Sequence, residues 1–125
     1  MPPKKKMMDT FRVILRKDGI IKVTEQSHST DKSAQKMVDK VEGLLEKQDR
    51  LYKILVDLSY AQDLPSPKAR KNLSDLFKTK KIAHVAVFGP SIQIRVMATF
   101  IMRAAGIKKF KFFETEKEAL DWLKK

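Results

Sequence analysis

Ile54-Leu55-Val56-Asp57-Leu58-Ser59, followed at Ser66-Pro67 by the opening of a helix, is the stretch that decides the fold of this chain. An apolar run into Asp-Leu-Ser reads as a strand ending in a loop. Ser66 then caps a helix whose first position is Pro67, where a missing N–H costs nothing. One β-then-α unit is set in this way, and the rest of the chain repeats it.

Upstream, Phe11 to Arg16 alternates in polarity, and Asp18-Gly19 suits a two-residue hairpin turn into Ile20 to Thr24. A helix is predicted from near Thr30 to near Gln48, with Ala34, Met37, Val38, Val41, Leu44 and Leu45 on one stripe at the 3.6-residue period. Downstream, the Ser66 helix buries Ala69, Leu73, Leu76 and Phe77, and a strand follows from Ile82 to Phe88. Ser91 caps a helix that Gly106 stops, and Lys109 to Phe113 forms the last strand. Thr115 and Glu118, spaced as a capping box, open a final helix that buries Ala119, Leu120, Trp122 and Leu123.

This order predicts an α/β fold of four right-handed βα units with sequential parallel strands, preceded by an N-terminal antiparallel strand. Helices are expected mainly on one face. Strand alternation puts only apolar residues on one side, Val13, Val23, Val56 and Val87 among them. The other side is mixed, with Arg12, Lys22, Lys53, Lys109 and Lys111 around Ile14, Leu55, Ile82 and Phe88, and is expected to stay uncovered. With 125 residues the chain makes one domain, residues 11–125, after a disordered basic tail at 1–10.

Composition excludes several classes. Without cysteine there are no disulfides, thiolate metal sites or cysteine nucleophiles, which fits a cytoplasmic location. No apolar run is long enough for a membrane span or a signal peptide. The four glycines are isolated, so no phosphate loop is present, and a sequential strand order lacks the crevice where doubly wound folds hold nucleotides. His28 and His84 lack spaced partners for a metal site or a triad, and paired work by Asp57 and Asp63 would need geometry that spacing alone does not supply. No enzyme and no cofactor are expected.

The net charge of +12 is concentrated between Pro65 and Phe113, where eleven Lys and Arg stand against Asp75 alone. Such a segment attracts anionic partners. Nucleic acid is disfavoured because the phenylalanines are expected in the core rather than in a stacking array. A homodimer through the uncovered sheet face, an unknown protein partner and an anionic lipid remain as partners.

Arg16-Lys17-Asp18-Gly19-Ile20-Ile21, Ile54 to Ser59, Ala86-Val87-Phe88-Gly89, Arg103-Ala104-Ala105-Gly106-Ile107 and Phe112 to Leu123 together resemble the SpoIIAA-like group. That group is related to the STAS domains of bacterial anti-sigma-factor antagonists, and its stand-alone members share likeness with CRAL-TRIO lipid-binding domains. The resemblance implies the same four βα units and a non-catalytic protein-interaction or regulatory module. Its alternative is a module for a hydrophobic ligand or anionic lipid. In the antagonists a serine at the start of the helix after Asp-Leu-Ser is phosphorylated, and that position falls on Ser66. Pro65 replaces the family's aspartate, and Lys68 its usual glycine. A phosphate there would lie at a helix N-terminus beside Lys68 and Arg70. The second candidate surface is the helix after Ser91, where Ile92, Val96 and Met102 border Arg95 and Arg103.

Overall fold

The structure is a computed structural model that describes residues 11–25, 30–61 and 65–125. The tail expected at 1–10 lies outside these residues, as do His28 and Asp63. The elements are β1 (Phe11–Leu15), β2 (Ile21–Glu25), α1 (Asp31–Leu45), β3 (Tyr52–Asp57), α2 (Pro67–Phe77), β4 (Ile82–Phe88), α3 (Ile92–Ala104), β5 (Phe110–Phe113) and α4 (Glu116–Leu123). They form one sheet in the order β1-β2-β3-β4-β5, with β1 antiparallel to β2 and the remaining neighbours parallel. Strand follows strand as the alternation predicts, and no reversal point interrupts the order.

The hairpin differs in one detail. Arg16 N–H donates to Ile20 O at 2.9 Å and Gly19 N–H to Arg16 O at 3.0 Å, so the loop holds three residues rather than two. The Asp18 carboxylate accepts from Ile20 N–H at 3.1 Å, and only Gly19 needs a positive φ, +88°.

Register explains the front of the sheet. Val13, Val23, Val56, Val87 and Phe112 are neighbours across all five strands and share one face. Against it pack α1, with five buried residues from Ala34 to Leu45, and α2, with Ala69 and Leu76. The N-termini of these helices are joined, since the Ser66 hydroxyl donates to the Asp31 carboxylate and Asn72 Nδ2 donates to Gln35 Oε1 at 3.0 Å.

The back is not bare. A second core of Ile20, Leu55, Ala86 and Phe88 is closed by Ala119 and Leu123 of α4. The expectation of an uncovered face fails because α4 packs on its apolar centre, and its cations meet the ends of that helix. Lys22 meets Glu116 in the helix's first turn at 2.8 Å, and the Lys53 ammonium donates to Leu123 O at its last, where carbonyls lack helical partners. Lys109 is spent as well, donating to Thr79 O and Ile82 O, both at 2.6 Å. Desolvation draws its pKa below the ordinary lysine value. Three helices therefore lie on one face and one on the other. The surface proposed for a homodimer is mostly occupied by α4.

Two substitutions test this packing. Leu123→Ala should cost about 2–5 kcal/mol in denaturant unfolding, as expected of a sealed back core and not of an exposed helix. Gly89→Ala should cost about 2 kcal/mol or more, because Gly89 has φ +85° and an added Cβ would collide with Ser59 Oγ and press within 3.1 Å of its Cα.

Candidate functional site

Helix α3 is capped at both ends and buries little of its length. At its start the Ser91 hydroxyl accepts from Ile94 N–H at 3.3 Å. At its end Gly106, with φ +76°, donates to Arg103 O at 3.0 Å and Ile107 N–H donates to Met102 O at 2.9 Å, the pattern of a Schellman stop. Buried Ile107 anchors that stop. Between these points Ile94 is the one buried residue of α3.

The space under the helix is a cavity of about 130 Å³. Its floor is the valine row of the sheet, Val23, Val56 and Val87, with Val85 and Phe112; its side is Leu73 and Phe77 of α2; its roof is Ile94, Ala98, Ile101 and Met102 of α3. The cause is a shortage of volume. Valines are short, and the roof has only Ala98 at its middle. Val56 consequently stays half-buried in the central strand, whereas Leu55, its neighbour on the back, is 0 % exposed.

Two charged residues reach this apolar wall, Glu25 and Arg70. Glu25 is buried, and the buried Arg70 Nε makes no hydrogen bond among the described residues. On the outside of α3, Ile92, Val96 and Phe100 are 81 %, 60 % and 69 % exposed. Their four-residue spacing puts them on one stripe. Exposed Arg103 falls on that stripe, and Arg95 lies to its side with Cζ 5.5 Å from the centre of the Phe112 ring.

The candidates read from sequence thus separate into four groups. Ser66 and Ser91 cap α2 and α3, Ser66 accepting from Ala69 N–H at 3.1 Å. A phosphate on Ser66 would face the Asp31 carboxylate, and of the two cations expected beside it Arg70 lines the cavity. Lys68 lies in a polar groove between α1 and α2 with Asp31, Gln35 and Asn72. Ile92, Val96, Arg95 and Arg103 are at the surface, while Met102 turns inward to the cavity. Asp57 is buried and its carboxylate accepts from Ser59 N–H at 2.9 Å, holding the strand end. His84 stands edge-on to Trp122, centroids 5.1 Å apart. Phe100 and Ala98 were missed from sequence. The i, i+4, i+8 spacing of Ile92, Val96 and Phe100 carried the first, and no pattern carried the second.

Among the described residues no three acidic or histidine side chains gather to hold a metal, and no helix is long and apolar enough to cross a membrane. No curated protein matches the chain. A solved structure does: an uncharacterised protein of the DUF3478 family with a SpoIIAA-like fold, from Shewanella loihica PV-4, is 23 % identical and superposes with a TM-score of 0.68 over 90 % of this chain and 91 % of that one. At that identity the likeness shows the shared fold, and it does not bear on the CRAL-TRIO likeness. The sequence model described as SpoIIAA-like matches residues 20–124, nearly the whole of the described fold, and the chain belongs to the SpoIIAA-like family.

Proposed function

We propose that this chain is a non-catalytic binding module that holds an apolar ligand between α3 and the sheet. SpoIIAA-like domains are in general non-catalytic STAS-type modules, which supports the first half of that reading. The cavity supports the second. Its 130 Å³ is close to the size of engineered apolar voids of about 150 Å³ that stay dry and bind benzene. A ring or a short alkyl segment fits with the helix where it stands, and a longer chain needs α3 to rise.

Energetics favour occupation. At about 24 cal/mol per Å³, a sealed void of this size would withhold about 3 kcal/mol from the fold, and a partly open one withholds less. Each methylene buried there returns about 0.8 kcal/mol. The sequence alone put a protein-interaction or regulatory role ahead of a hydrophobic ligand, and the cavity is the observation that moves the ligand forward.

Decanoate and the neutral fluorophore N-phenyl-1-naphthylamine are suitable probes. Both should bind the wild-type chain saturably, and Ala98→Leu, which fills the roof, should bind them at least tenfold more weakly while melting no lower. Absence of binding to the wild type, or equal binding by the filled variant, would remove the reading.

A further inference from the structure

We infer that the outer face of α3 docks on an anionic lipid bilayer. The stripe of Ile92, Val96 and Phe100 is a convex ridge, not a groove, and Arg103 sits on it. A ridge of that kind suits the boundary between headgroups and acyl chains, where apolar side chains enter to a depth of about 5–10 Å and cations remain with the headgroups. It requires no partner shaped to receive it.

Charge selects the occupant. From Leu76 to Phe113 the chain has no acidic residue, and α3 lies in the middle of that segment. A second copy would bring another +12 against it, and like charge opposes such a contact. Nucleic acid would meet an apolar ridge where phosphates need cations. Anionic lipid satisfies both parts of the surface at once, with attraction confined to about 8 Å at physiological salt.

Docking rests on the outer face alone. Where the cavity reading of the preceding section also holds, the roof of the cavity is the helix that meets the bilayer, and the ligand class becomes a membrane amphiphile with an alkyl chain. Neither hypothesis requires the other.

The experiment is flotation of the full chain with phosphatidylcholine vesicles, with and without one third phosphatidylglycerol. The wild type should float with the anionic vesicles at least tenfold more strongly than with the neutral ones, and rising salt should weaken that binding. Ile92→Glu/Val96→Glu/Phe100→Glu, all at exposed positions, should lose binding at least tenfold with circular dichroism and probe binding unchanged. Arg95→Gln/Arg103→Gln should reduce the preference for anionic vesicles. Ala98→Leu should float as the wild type does, so that failure of the cavity leaves docking intact. No flotation of the wild type overturns the inference. So does undiminished flotation of the triple variant, or a wild-type dimer in sedimentation velocity that the triple variant abolishes.

Discussion

The distance between α3 and the sheet is the constraint on which the functional reading depends. It is set by the side chains on its two sides: a floor of valines, and a helix whose middle offers only Ala98. The cap and the stop end the helix without bonding it to the sheet, and Ala98 offers no side chain long enough to fill the space beneath. Close packing is the rule in protein interiors, so a void between helix and sheet is informative. The same helix presents Ile92, Val96 and Phe100 outward, so that one element supplies both the roof of the cavity and the most apolar ridge of the surface.

Charge is distributed by the same architecture. On the back of the sheet, Lys22 and Lys53 are taken up at the two ends of α4, and Lys124 approaches Asp18 of the hairpin at 3.6 Å. Exposed pairs of this kind contribute about 0–1 kcal/mol each, so they orient α4 more than they hold it. The holding is done by Leu55, Ala86, Phe88, Ala119 and Leu123. Asp18 has its pKa lowered overall; burial acts to raise it and is outweighed by Arg16, the Ile20 N–H and Lys124. That small contribution is present above the unfolded pKa and fades as pH falls through the lowered one. Arg95 and Arg103 of α3 stand exposed beside the ridge, Arg95 against the Phe112 ring.

Most of the architecture was legible in the sequence, because it follows from local rules. Ser66, Thr115 and Ser91 were read as caps to the residue, and the stripes of α1 and α2 are the ones that pack. Alternation assigned the valine row to the correct face. It could not say what Lys22 and Lys53 do, since a lysine beside an apolar strand residue looks the same whether it meets water or a helix end. The hairpin gained a residue for a similar reason: Asp18-Gly19 fits either loop, and the Asp18 carboxylate on Ile20 N–H decides between them. The cavity was not legible at all, because periodicity reports direction and not volume. Phe100 was taken for core by its type, and among the described residues nothing covers it.

Net stabilities of small domains are about 5–15 kcal/mol, so apolar space left unfilled against the sheet is a real concession. One larger side chain at position 98 would remove much of it. The ridge is a second concession of the same kind, since large apolar side chains at exposures of 60 % or more keep the chain's solubility dependent on its charge. Both fall on α3, while α1 and α4 bury their apolar stripes in the ordinary way. Segments that move on binding are drawn from the less stable parts of a fold. With one buried residue against five in α1, α3 stands at that end of this fold.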